Sequence, residues 1–155
     1  MTYSSIEFAF DRGRAALAAL SRKGEVTEHD ICDLREILGE GALSRDEADL
    51  LFAIERAPSL KGVHWTEFFV EAVTDHVVWQ IRPTGVVNES QGEWLIQSVD
   101  EAKTLNAFAA LVNVMAEAHR VPLWFLAAVQ ARAARGWPGA EVAVRAANAE
   151  MRMAA

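Results

Sequence analysis

Glu67, Glu71 and Asp75 follow one another at intervals of four residues in a stretch that is otherwise mostly apolar. That spacing stacks three carboxylates along one face of a helix, where like charges at i, i+4 repel. Such a stripe asks for a counter-charge, supplied by Arg, Lys or a divalent ion. His64 lies three residues before Glu67 and can join it. Asn113 and Glu117 add oxygens if their helix faces the stripe. A set built from Glu67, Glu71, Asp75 and Glu117 is oxygen-rich and suits Mg, Mn or Ca rather than zinc. The same residues serve equally as a solvated or Arg-paired helix face. No pair of Glu-x-x-His motifs, the stronger signature of a carboxylate metal centre in a bundle, accompanies them.

The other reactive side chains point to less. His76 falls on the apolar face of the same predicted helix, where a neutral imidazole bonded to a carbonyl or an acid is expected. General-base duty at His76 or at the acidic stripe is the enzymatic alternative. His29 and Asp33 are one turn apart and read as an exposed pair, and His119 sits near a helix C-terminus, which favours positive charge. Cys32 is the only cysteine, so no disulfide can form within the chain. Beside Ile31 and Leu34 it is expected to be semi-buried. Gly-x-Ser-x-Gly and His-Glu-x-x-His are absent. Gly39-Glu40-Gly41 follows a predicted helix rather than a strand, which excludes a dinucleotide loop.

The elements that must position these groups are helices. The spacing of apolar residues, caps and breakers predicts helices over about 5–21, 28–38, 44–57, 65–81, 88–99, 100–119, 122–135 and 139–153, an all-α bundle of about eight. Thr27, Ser44, Asn88 and Asp100 are the expected N-caps, with Glu47 and Gln91 closing capping boxes. Pro122 occupies a first-turn position. Gly85-Val86-Val87 is the only β-like fragment and is too short for a sheet. The helices over 65–81 and 100–119 are apolar nearly all round and are expected at the centre. The five tryptophans, at 65, 79, 94, 124 and 137, are expected in the core.

One pattern recurs in three linkers: Gly24-Glu25-Val26-Thr27-Glu28-His29-Asp30, Gly41-Ala42-Leu43-Ser44-Arg45-Asp46-Glu47 and Gly85-Val86-Val87-Asn88-Glu89-Ser90-Gln91. Glycine ends one helix and a small polar residue caps the next. The pattern also resembles the second half of an EF-hand loop, with glycine at position six and an acid at twelve. With Gly41 at six, the earlier ligand positions are Glu36, Leu38 and Glu40. With Gly24 they are Ala19, Ser21 and Lys23, and with Gly85 they are Gln80, Arg82 and Thr84. The ligand set is degenerate in every copy.

A broader resemblance covers most of the chain. Asp33-Leu34-Arg35, the run Gly41 to Ala48, and Phe68-Phe69-Val70-Glu71-Ala72 resemble uncharacterised bacterial helical proteins whose organisation is similar to the tellurite-resistance TerB fold. That resemblance implies a bundle of helix pairs with acidic residues that hold metal. The chain departs from it at Asp100-Glu101-Ala102-Lys103-Thr104, which lacks the glycine of such segments.

The whole chain of 155 residues is expected to fold as one domain, with 52% hydrophobic and 24% charged residues and net charge −7. An acidic balance argues against nucleic-acid binding. The charge is uneven: residues 1–119 carry 10 basic against 20 acidic side chains, and residues 120–155 carry five Arg against Glu141 and Glu150. The basic end packs on the acidic body, or forms an amphipathic helix for a membrane surface or a partner. Val142, Ala146, Ala149 and Met153 make an apolar stripe on the helix over 139–153, able to dock within the chain or on another copy. No secretory signal or membrane-spanning run is present, so a cytoplasmic location is expected. The leading expectation is a non-catalytic interaction or scaffold protein, with a protein partner or a homo-oligomer. The alternative is a TerB-like divalent-metal module.

Overall fold

The computed structural model describes residues 2–39 and 42–136, with side chains from Arg12 onward. The chain is all-α. Among the described residues the helices are α1 (Thr2–Ser21), α2 (Glu28–Leu38), α3 (Arg45–Arg56), α4 (Val63–Thr74), α5 (Glu89–Ala102), α6 (Leu105–Glu117) and α7 (Leu123–Ala134). These are seven rather than about eight, and the helix expected over 139–153 lies outside the described residues. Two residue pairs, β1 (Glu25–Val26) and β2 (Leu60–Lys61), form a minimal parallel sheet.

The chain divides into two compact units, with the boundary between Phe69 and Val70, inside α4. In the first unit α1 packs on α2 and α3. Its core holds Leu17, Leu34, Leu51, Phe52, Trp65 and Phe69. The Phe52 and Phe69 rings meet edge-on at 5.0 Å, and Trp65 stacks on Phe69 at 5.7 Å. In the second unit α6 packs on α5, on α7 and on the turn that follows α4. Phe108, Leu111, Val114, Leu95 and Phe125 are fully buried there. Leu105, expected within that apolar belt, is 50% exposed because it stands in the first turn of α6.

Whereas α2 ends at Gly39 and α1 at Ser21, ahead of Gly24, the capping half of the expected role holds in all three linker copies. Their third residues, Val26, Leu43 and Val87, are all buried. Thr27, Ser44 and Asn88 accept hydrogen bonds from the backbone N–H of Asp30, Glu47 and Gln91. The first and third copies also do something the pattern does not announce. In the first unit, Leu60 N–H donates to Gly24 C=O at 3.1 Å beside the β1–β2 pair. In the second, His119 N–H donates to Gly85 C=O at 2.7 Å and Val87 N–H to Arg120 C=O at 3.0 Å. Each unit therefore ties its two helix–loop–helix pairs together through their linkers. The middle copy simply joins α2 to α3.

Two helix boundaries differ from expectation. The helix expected over 65–81 changes after Thr74 into a π turn over Asp75–Trp79, where Gln80 N–H donates to Asp75 C=O at 2.8 Å. Asp100 does not start a helix; it lies inside α5, which ends only at Lys103 in left-handed conformation (φ 55), and Thr104 caps α6. Lys103 supplies the stop expected at Val99.

The π turn explains a second departure. The Gln91 backbone N–H donates the N-cap bond to Asn88 Oδ1, but the Gln91 side chain does not close a capping box. It is buried, and Nε2 donates to the C=O of His76 at 2.9 Å. A leucine at 91 leaves that buried carbonyl without this donor, so Gln91→Leu is expected to cost about 1–3 kcal/mol. Gln91→Glu should cost at least as much, because an ionised carboxylate cannot donate. Urea titrations of both variants against the parent would check this. A loss below about 0.5 kcal/mol in Gln91→Leu would mean the bond is not needed.

Candidate functional site

The second unit carries an acidic cluster. Glu71 projects from the last turns of α4, Asp75 from the start of the π turn and Glu117 from the end of α6. Burial pushes the Asp75 carboxyl above its usual range, and the neighbouring charges of Glu71 and Glu117 push it further. Glu117 is held in place: Trp79 Nε1 donates to one of its oxygens at 2.8 Å and Asn113 Nδ2 to the other at 2.9 Å. Asn113 Nδ2 also lies 2.7 Å from Thr74 Oγ1. Trp79 stands edge-on to His119, with ring centres 6.0 Å apart.

The second feature is an open groove of about 610 Å³ lined by Glu93, Ile96, Gln97, Asp100, Glu101, Lys103 and Trp124. Its position follows from how α7 lies on α5. At one end Trp124 Nε1 donates to Glu89 Oε2 at 2.7 Å. At the other, Arg132 pairs with Asp100 through Nε at 2.7 Å and Nη2 at 2.5 Å. The two helices are therefore parallel, N-terminus beside N-terminus. Gly92 allows the close approach: a Cβ there would stand 3.1–3.2 Å from the Trp124 and Phe125 rings. The fork of Arg132 against Asp100 is a charge-assisted pair, and that hydrogen bond raises the Arg132 pKa despite burial. The groove walls are mostly carbon, with carboxylates on the rim. Leu123, at the start of α7, is 84% exposed beside Trp124.

No known family model, curated protein or solved structure matches this chain.

The four carboxylates singled out in the sequence are not gathered together. The charges acting on Asp75 are those of Glu71 and Glu117; Glu67 is exposed and is not among them. Among the described residues, no group of three or more His, Cys, Asp or Glu side chains is placed to hold a metal ion. His64 turns instead toward Glu28, at 3.6 Å. His29 and Asp33 form the expected exposed pair at 3.4 Å. His76 is buried as expected, with Nδ1 3.3 Å from Gln80 Oε1 and its ring edge-on to Trp94 at 5.2 Å. Cys32 is exposed rather than semi-buried, because α2 buries Ile31 and Leu34 and turns position 32 outward.

The tryptophans depart furthest from expectation. Only Trp65 is fully buried among those described; Trp94 is half-buried, and Trp79 and Trp124 are 37% and 36% exposed. Both exposed rings anchor their N–H on a surface carboxylate, which gives an amphipathic side chain a stable place at the rim. Trp137 lies outside the described residues. No apolar spacing could have distinguished these cases, since each depends on which helix lies opposite.

The cluster makes a pH prediction. The folded-state pKa of Asp75 is raised, so the folded protein holds this proton more tightly than the unfolded chain does. Stability from this group is greatest below the unfolded value and falls as pH rises through the folded one. Asp75→Asn should therefore stabilise the protein at neutral pH. Relief of the Glu71–Asp75 repulsion alone accounts for roughly 0.2–0.5 kcal/mol, and the gain should vanish below about pH 4, where the free carboxyl is itself protonated. Thermal melts of both proteins between pH 3 and 8 test it; equal midpoints at pH 7 would remove the strain.

Proposed function

We propose that this chain is a non-catalytic protein-interaction module that receives an amphipathic helix in the α5–α7 groove. The observation that carries this reading is the groove itself: carbon walls from Ile96 and Trp124, set between carboxylates at Glu93 and Glu101. A helix with a small apolar stripe and basic flanks matches both features, and helix-in-groove docking is a common recognition mode. Trp124 is the natural anchor, since a partly exposed indole fixed by a hydrogen bond loses little freedom on binding. A cation-binding role for Glu71, Asp75 and Glu117 has less support, because Trp79 and Asn113 already occupy the oxygens of Glu117.

A synthetic alanine-rich helical peptide with a leucine stripe and arginine flanks is the probe. Titrated into the ¹⁵N-labelled chain, it should shift the amides of Ile96 and Gln97 and the indole N–H of Trp124. Trp124→Ala should weaken it by about 2 kcal/mol, roughly thirtyfold. Shifts that fall elsewhere, or binding that Trp124→Ala leaves unchanged, would sink the reading.

A further inference from the structure

On the premise that the α5–α7 groove receives an amphipathic helix, we propose that Lys103 sets the direction of that helix. The partner's acidic first turn lies against Lys103 and its basic last turn against Glu93, so it runs antiparallel to α5. Lys103 stands where glycine would be less strained. It ends α5 in left-handed conformation (φ 55, ψ 37) and is the one residue other than glycine with positive φ among those described. A Cβ is disfavoured there, and glycine is the usual occupant of such a helix end. A lysine in that conformation points to a use for its side chain. Lys103 is exposed, and among the described residues lining the groove it is the only base.

The charges are ordered along the groove. Asp100 is engaged by Arg132, and Gln97 Nε2 donates to Glu101 at 3.4 Å. Glu93 and Lys103 mark the two ends, ten residues of α5 apart or about 15 Å. The carbon surface lies toward the Glu93 end: the Trp124 ring stands over Gly92, and Ile96 follows one turn later. A fitting helix therefore carries an acid in its first turn, apolar side chains about two turns on, and a base in its last turn. A parallel helix could meet the same two charges only with its base first and its acid last. That order opposes its own dipole, which favours acids at the N-terminus and bases at the C-terminus. The dipoles of α5 and α7 act in the same sense. Their N-termini lie together where Trp124 Nε1 bonds Glu89, and two positive ends attract the C-terminus of a partner.

The test uses two alanine-rich helical peptides of identical composition, each with a leucine stripe. One has glutamates in its first turn and arginines in its last; the other has the order reversed. Each is titrated into the ¹⁵N-labelled full chain and into its Lys103→Gly variant. The acid-first peptide should bind the parent about tenfold more tightly than the other. A nitroxide on its N-terminus should broaden the amides of Lys103 and Thr104 and spare Glu93. The acid-first peptide is also the better helix by itself, so the variant decides. Lys103→Gly should weaken the acid-first peptide about fivefold while raising the melting midpoint by about 2–4 °C. A loss of affinity in a more stable protein cannot come from unfolding. Lys103→Arg should keep the affinity and the parental midpoint. Broadening at Glu93, or an affinity that Lys103→Gly leaves unchanged, would overturn the directional role and leave the groove reading intact. A lower midpoint in Lys103→Gly would make the lysine a structural cap for α5 and overturn it as well. Binding of neither peptide would overturn both readings.

Discussion

Trp65→Ala will lower the stability of the first unit by about 3–5 kcal/mol, the range for emptying a large aromatic from a packed core. Trp65 is 1% exposed, stacks on Phe69 at 5.7 Å and lies 6.1 Å from Phe68. Its Nε1 also donates at 2.8 Å to Glu55, a buried carboxylate on α3. The variant therefore removes packing volume and a hydrogen bond to a buried charge together. Trp65→Phe separates the two: most of the ring volume stays, the donor goes, and the expected loss is about 1.5–3 kcal/mol, the range for a bond to a charged group. Since a domain is stable by only about 5–15 kcal/mol in total, the alanine variant should unfold at a markedly lower urea concentration. A Trp65→Ala loss of under about 1 kcal/mol would show that this face is not the core of the unit.

Gly85→Ala comes next, at about 2–5 kcal/mol. Two separate costs meet at this residue. Its φ of 81 is left-handed, where a Cβ costs roughly 1–2 kcal/mol. That Cβ would also stand 2.5 Å from Cδ2 of His119, and forcing such a contact typically costs about 1–3 kcal/mol. The backbone is pinned on both sides, so only rotation of the exposed His119 ring can relieve the contact. Gly85 N–H donates to Val78 C=O at 2.8 Å, and its own C=O accepts from His119 N–H at 2.7 Å and from Arg120 N–H. A double-mutant cycle with His119→Ala resolves the terms: the steric part should disappear in the double variant and the backbone part remain. Strict additivity would mean that His119 simply moves aside in the single variant.

The helices were legible because their signals are local. Thr27 with Asp30 and Ser44 with Glu47 close capping boxes across three residues, a distance that sequence spans without knowing the fold. The helix breaks at Pro58 and Gly85 are equally local. Asn88 caps α5 as its type predicts, but the Gln91 side chain leaves the box position because a buried carbonyl 15 residues away competes for it. The π turn escaped for the same reason: Asp75–Trp79 has helical composition, and the wider turn is stabilised by groups from elsewhere. The acidic stripe was visible, but the charges that act on Asp75 are Glu71 from the stripe and Glu117 from α6.

The sequence by itself determined that this protein is all-helical, where its helices begin and end to within a few residues, and that three linkers share one capping solution. Those follow from φ preferences, hydrogen bonds across one turn and apolar periodicity. Only the tertiary structure decided that the linkers pair within each unit, that Trp79 and Trp124 stand at the surface, and that α7 lies parallel to α5. These last depend on contacts between residues some thirty positions apart, such as Glu89 with Trp124 and Asp100 with Arg132. No local preference encodes such contacts; they are set by which helix faces bury the most apolar surface against one another.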